Sequence, residues 1–289
     1  LTVKLDHTRY HIDTRIGHPR LVQVLSELYT PLLGCSVDHL AGISPELAAN
    51  TFASLNRSIE PMSEILVSLG AYGSLSAVMH AFLDQDDEVL IIEPAFDCYV
   101  PQAKMAGAKP ESKGTDCPSS GDWKLDFEEM EAKITPKCKM IVLNSPNNPL
   151  GKVFTMEELK NLANICIRHN LLCVSDEVYE WLVYPPNKHI KIASLPGMWA
   201  RTLTIGSAGK TFSVTGWKLG WTVGPKNLIE AMQLHQQNTI YTCPTPLQVA
   251  HLLFLNIFIK YESFAFFVKQ TFGLLKMNHE KTFFCCSSV

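Results

Sequence analysis

Apolar residues along the middle of this chain fall into short continuous runs, separated by stretches with helical spacing. Ile65–Leu69 reads as a strand, closed by Gly70, and Gly73–Leu83 reads as the helix that follows. Glu88–Glu93 (EVLIIE) is a second strand and ends at Pro94. Lys139–Leu143 (KMIVL) is a third, followed by the turn-rich NSPNNPLG. Thr155 opens the next helix, with Glu158 three residues on as a capping box. Leu159, Leu162, Ala163 and Cys166 then mark one apolar helical face. Leu171–Ser175 and Thr202–Ile205 complete the strands that the pattern marks. Strands that are apolar throughout, alternating with helices, predict an α/β fold: a mostly parallel sheet covered on both faces. In such sheets the ligand sits at the carboxyl ends of the strands. Two segments break the rhythm, Cys35–Asn56 and the Phe-rich His251–Val289. Neither takes a chemical role on this reading.

Composition narrows the class. The 289 residues are 46% hydrophobic and 18% charged, and the formal net charge is −3. This balance suits a soluble enzyme and argues against nucleic acid or an acidic membrane surface as partner. Nine cysteines without CxxC pairs read as free thiols in a reducing compartment. The start, LTVKLDHTRYHID, has no apolar core of a secretory leader, and it begins with Leu1 and not Met. No apolar run approaches the roughly 18 residues of a membrane span. The expected location is the cytoplasm or the mitochondrion. The ten histidines are dispersed and show no metal-ligand spacing.

The candidate chemistry lies at the strand ends. Ser207-Ala208-Gly209-Lys210-Thr211 suggests a P-loop, but that motif requires glycine where Thr204 stands. Taken alone, Lys210 reads as a surface lysine in a turn, and only its company at the sheet edge favours chemistry. As an amine nucleophile it must be neutral part of the time, which requires desolvation or a neighbouring cation. Lys218, in Gly216-Trp217-Lys218, could supply that charge and grip a phosphate, and Ser207 adds a hydroxyl donor. Gly70-Ala71-Tyr72 lies where a strand passes into a helix, where free amides suit a phosphate; it also reads as a plain turn. Asp176 closes an apolar strand, where an unpaired carboxylate is costly, and a protonated pyridine nitrogen would be a fitting partner. A helix N-cap is the other reading. Tyr179 follows three residues later as a donor to a ring phenolate. Asn148, in Asn147-Asn148-Pro149-Leu150-Gly151, is either part of an ordinary turn or a ligand of a phenolic oxygen. Phe96 is either a ring that stacks on a pyridine or a core residue.

Together these segments resemble a known family. SPNNPLGKVF, VSDEVYEWLVY, LPGMWARTLTIGSAGKTFSVTGWKLGW and IEPAFDCY are similar to fold-type I aminotransferases that use pyridoxal 5'-phosphate. Kynurenine aminotransferases, also called cysteine-S-conjugate β-lyases or glutamine transaminases, are the most similar branch. The resemblance runs over Arg15–Leu33 and Ser58–Ala250 and divides the chain in three. Residues 1–57 form an N-terminal segment with a helix at 15–33 and an atypical insert at 35–56. Residues 58–250 form the cofactor-binding large domain, and 251–289 an atypical tail. The resemblance implies that Lys210 is the Schiff-base lysine and that Asp176 pairs with the pyridine nitrogen. Asn148 and Tyr179 would meet the phenolic oxygen, and Phe96 would stack on the ring. Gly70, Ala71, Ser207 and Lys218 would form the phosphate cup, with Tyr72 lining the site. Tyr241 and Thr242 match a segment that reaches the neighbouring subunit, so a homodimer is implied. The implied reaction moves an amino group from kynurenine, glutamine, or an aromatic or sulfur amino acid to a 2-oxo acid, with β-elimination of sulfur conjugates as a side reaction.

There are departures too. Family chains run past both ends of this one, and the small C-terminal domain is missing after about Ala250. Ile12 stands where a phosphate-reaching tyrosine is usual, and no arginine follows Arg201 to grip a substrate carboxylate. A catalytically impaired cofactor-binding fragment is therefore the alternative to an active transaminase.

Overall fold

The computed structural model describes residues 16–34, 57–114 and 123–261, without the side chains of 112–114 and 257–261. Ile12, the insert 35–56 and the tail beyond Tyr261 lie outside the described residues.

Among the described residues, seven strands form one sheet: β1 (Ile65–Ser68), β2 (Glu88–Glu93), β3 (Lys109–Gly114), β4 (Cys138–Asn144), β5 (Leu172–Asp176), β6 (Thr202–Ser207) and β7 (Gly220–Val223). Their order is β1-β7-β6-β5-β4-β2-β3. The pairs from β3 through β6 are parallel, while β7 runs antiparallel to both β1 and β6. The sheet is thus mostly parallel, as the apolar runs predict. β3 and β7 are additions to that reading. β3 is an edge strand of polar sequence, KPESKG, and carries no apolar run to mark it. β7 is four residues, GWTV, directly after the motif of Gly216 to Lys218.

Among the described residues, eight α-helices accompany the sheet: α1 (Pro19–Leu33), α2 (Gly70–Phe82), α3 (Tyr99–Met105), α4 (Phe127–Ala132), α5 (Met156–Arg168), α6 (Ala208–Thr211), α7 (Lys226–Thr239) and α8 (Thr245–Tyr261). Alternate strand residues point to opposite faces. Ile141, Leu143 and Cys173 meet α5 through Leu159, Leu162 and Cys166. Met140, Val142 and Val174 share the other face with Leu75 and Val78 of α2 and with Ile229 and Met232 of α7. A third cluster joins α1 and α8 to Val67 and Trp221. The capping box of α5 forms as expected, with the Glu158 amide donating to Thr155 Oγ1 at 3.2 Å and the Thr155 amide to Glu158 Oε2 at 2.9 Å. Helix α2 begins at Gly70, three residues earlier than its apolar spacing suggests, because Gly70 turns the chain at φ 67°.

Candidate active site

The register gathers the strand ends on one edge. Asn144 pairs with Asp176 and Asp176 with Ile205, while Ser207 and Ser68 both pair with Gly220. Because β7 is reversed, its first residue faces the edge where the parallel strands end. Gly220 lies against the turn at the head of α2. A Cβ on Gly220 would stand 2.6 Å from the Gly70 carbonyl carbon and 2.7 Å from the Ala71 nitrogen. Only glycine lets these two backbones approach so closely. Lys218 comes to the same place in a left-handed conformation, φ 52° and ψ 50°. Its Cα lies 3.7 Å from where a Gly70 side chain would begin. Gly70, Ala71, Ser207 and Lys218 therefore converge around Gly220.

One strand over, Lys210 lies on α6 directly after β6 and places Nζ 5.6 Å from the centre of the Tyr179 ring. Asp176 ends β5 with 4% of its surface exposed. Its Oδ2 accepts a 2.7 Å hydrogen bond from Tyr99, and its Oδ1 a 3.3 Å bond from the Val178 amide. Burial pushes the Asp176 carboxyl up to about 6; Tyr99, Val178 and the charge of Lys210 act against that rise, and Glu177 adds to it. The side chain of Asn144 joins two of the expected groups. It donates to the Asp176 carbonyl at 2.9 Å and accepts the Asn148 amide at 2.7 Å, which holds the Asn148 turn beside Asp176. Asn147 serves the turn itself, accepting the Leu150 amide at 3.0 Å. Phe96 stands edge-on to Tyr72 at 6.0 Å and to Tyr99 at 6.1 Å between ring centres.

Most of the expected groups thus fall along one edge. Tyr241 and Thr242 lie elsewhere, just past the end of α7, with Tyr241 at φ 65° and 47% exposed. Tyr99, Asn144 and Gly220 belong to the site and were not singled out from sequence. Tyr99 opens α3, and 77 positions separate it from the carboxylate it meets. Glu177, Glu180 and His189 bring ligand-type atoms within 4.8 Å of one another, and the cation that meets both carboxylates there is Lys191.

Removing the Tyr99 phenol tests its hold on Asp176. A hydrogen bond to a charged group is worth about 1.5–3 kcal/mol, so Tyr99→Phe should raise the Asp176 midpoint by about one unit or more. Carboxyl NMR titration of the cofactor-free chain would read it, and an unchanged midpoint would refute the coupling.

The family model described as aminotransferase class I and II matches residues 42–280. Kynurenine–oxoglutarate transaminase 3 of Homo sapiens is 52% identical over 241 residues, which cover 81% of this chain and 48% of that protein. Kynurenine–oxoglutarate transaminase 1 of Homo sapiens is 44% identical over 242 residues, with 81% and 52% covered. The chain therefore spans about half the length of these curated relatives. Among solved structures, an aromatic aminotransferase from Pyrococcus horikoshii superposes with a TM-score of 0.74 at 33% identity, covering 87% of this chain and 61% of that one. A mutant aspartate aminotransferase from Thermus thermophilus gives 0.76 at 29% identity, with 92% and 65% covered.

Proposed function

The chain belongs to the class I and II aminotransferases, and on that premise we propose that it binds pyridoxal 5'-phosphate and moves an amino group from an amino acid to a 2-oxo acid. We further propose kynurenine, glutamine or an aromatic or sulfur amino acid as donor, following the relatives' printed names and the motifs, with β-elimination of sulfur conjugates as a side reaction.

The residues fit the cofactor. A carboxylate that is 4% exposed, and whose hydrogen-bond partners are the Tyr99 phenol and a backbone amide, is suited to a ring cation. Gly220 lets the Gly70–Ala71 backbone lie against it at the start of α2, where the first amides of a helix suit a phosphate. The single observation that carries the reading is the meeting of Asp176, Tyr179 and Lys210 on one sheet edge.

Bound pyridoxal phosphate supplies a conjugated ring that withdraws the electron pair left on the amino acid's α-carbon. Asp176 would keep the proton on the ring nitrogen. Lys210 would hold the cofactor's aldehyde carbon and would be the base that takes and returns the α-proton. Tyr179 and Asn148 would orient the ring through its phenolic oxygen, and Phe96 would stack on it. The amides of Gly70 and Ala71, with Ser207 and Lys218, would hold the phosphate. Tyr72 lines the opening. We propose a homodimer in which Tyr241 and Thr242 reach the neighbour's site, and a cytoplasmic or mitochondrial location. Among the described residues no helix is long and apolar enough to cross a membrane.

Borohydride reduction of the chain with pyridoxal phosphate, followed by peptide mapping, should label Lys210. A label on Lys218 or Lys152 would overturn the assignment. Glutamine or kynurenine should then discharge the bound chromophore in a half-reaction, and indifference to both would reject them as donors.

A further inference from the structure

The turn that carries Asp176 and Tyr179 is not a regular helix. Hydrogen bonds from the Glu180 amide to the Glu177 carbonyl (2.9 Å) and from the Leu182 amide to the Tyr179 carbonyl (2.8 Å) close it locally. Its residues divide between two sets of partners. Asp176 and Tyr179 meet Tyr99 and Lys210. Glu177 and Glu180 meet Lys191, whose Nζ lies 2.8 Å from Glu177 Oε2 and 2.5 Å from Glu180 Oε2. Lys191 is 4% exposed, Glu177 1% and Glu180 7%.

An ammonium has three N–H bonds to place. Two go to these carboxylates, and the third direction faces the Tyr29 ring, whose centre is 4.6 Å from Nζ. Tyr29, on α1, donates its hydroxyl to Glu180 Oε1 and accepts the Trp221 indole N–H at 2.9 Å. Trp221 lies in β7, one residue past Gly220. Glu177 is held further by Ser175 Oγ at 2.8 Å and His189 Nε2 at 2.7 Å. Burial alone would raise the Glu177 carboxyl, but Lys191 and His189 outweigh it and hold it down to about 2. Burial likewise works against the Lys191 charge, and the two carboxylates overcome it.

We propose that Lys191 is a positioning residue: it clamps Glu177 and Glu180 from beneath and so sets where Asp176 and Tyr179 stand on the other side of the turn. The proposal rests on the functional reading above for what Asp176 and Tyr179 do. Its geometry does not depend on that reading. The clamp is anchored to α1 and β7 through Tyr29 and Trp221, so the ring-nitrogen partner and the phosphate end share one buried framework. A lysine 15 residues beyond Asp176, in the sequence Lys188-His189-Ile190-Lys191, carries no motif that would single it out.

The test uses the full chain as wild type, Lys191→Met, Lys191→Arg and Glu180→Gln. Glu180→Gln keeps its shape and leaves Lys191 paired with Glu177, so it serves even if Lys191→Met does not fold. In the cofactor-free chain, amide hydrogen exchange should accelerate at least tenfold at residues 176–182 in Lys191→Met and several-fold in Glu180→Gln. With pyridoxal phosphate, Lys191→Met should bind at least tenfold more weakly and lose half or more of the visible circular dichroism of the bound cofactor. Glu180→Gln should show smaller losses, and Lys191→Arg should recover most of both. Folded variants that melt earlier yet keep wild-type exchange at 176–182, affinity and dichroism would overturn the proposal and leave Lys191 a purely structural ion pair. Unchanged readouts in Glu180→Gln would overturn it too if Lys191→Met is unfolded. A wild-type chain that binds no pyridoxal phosphate would refute the functional reading, while the exchange data would still decide whether the clamp holds the turn.

Discussion

Asp176→Asn should leave the cofactor-free chain about 2–3 kcal/mol more stable at pH 7 while removing most of its capacity to activate an α-hydrogen. The stability gain follows from the carboxyl being raised to about 6 in the fold. Its ordinary value is near ~3.9, and one unit corresponds to about 1.36 kcal/mol. A raised carboxyl binds its proton more tightly in the folded state, so the wild-type chain loses stability as pH rises from about 4 through about 6, and the loss is complete above that window. Asparagine has no such charge to bury: its Oδ1 can accept the Val178 amide while its Nδ2 donates to the Tyr99 hydroxyl oxygen, which keeps both contacts. Glu177, held down to about 2, works in the opposite sense: its contribution is present above about 4.3 and fades as pH falls towards 2, outside the Asp176 window. Urea unfolding of both proteins at pH 4 and pH 7 would separate the effects. An asparagine variant no more stable than wild type at pH 7 would contradict the account. The chemical loss has a separate origin, since a neutral amide does not hold the ring-nitrogen proton. Exchange of a bound amino acid's α-hydrogen should fall about 100-fold or more, on the order of 3 kcal/mol of barrier. Together the two outcomes would describe a carboxylate that costs the fold stability and acts on the proposed cofactor.

Gly220→Ala should weaken pyridoxal phosphate binding by about 100-fold and destabilise the chain by about 1–3 kcal/mol, the range for an overpacked site. The added carbon would lie 2.6 Å from the Gly70 carbonyl carbon and 2.7 Å from the Ala71 nitrogen. Carbon atoms rest at roughly 3.5–4.0 Å, so β7 and the head of α2 would have to part by about 1 Å. A shift of that size spoils a site built from backbone amides, which cannot adjust by changing rotamer. Isothermal titration with pyridoxal phosphate, beside a thermal melt, would measure both effects. An alanine variant that binds within threefold of wild type would show that the close approach is not what shapes the phosphate end.

How much of this was legible beforehand depended on whether a residue's signal was local. β2, β4, β5 and β6 stand out because strands buried on both faces carry near-continuous apolar or small residues through their centres. β3 does not, because an edge strand needs no such run and its KPESKG is dominated by polar residues. Asp176, Tyr179, Asn148 and Lys210 were readable as polar residues placed just after apolar strands. Their supports were not. Asn144 reads as the first residue of a turn-rich stretch, yet it ends β4 and its amide bridges the Asn148 turn and the Asp176 carbonyl. Tyr99 reaches Asp176 across 77 positions, and Tyr29 reaches Glu180 across 151. Partnerships of that range exist only once the sheet has ordered its strands, and no window of sequence contains both members.

The reversal of β7 has a consequence for how the edge gives way. In the strand order, β1 touches the rest of the sheet through β7 alone. The turn that holds Gly70 follows β1, and the segment that holds Ser207, Lys210 and Lys218 runs from β6 into β7. One strand therefore fastens both groups. Were β7 to detach, Lys218 would leave Gly70 and the Gly70–Ala71 turn would lose the backbone it lies against, while Ser207 would stay within β6 and α2 would stay packed on the sheet face. The approach of these groups thus depends on the pairing of one four-residue strand.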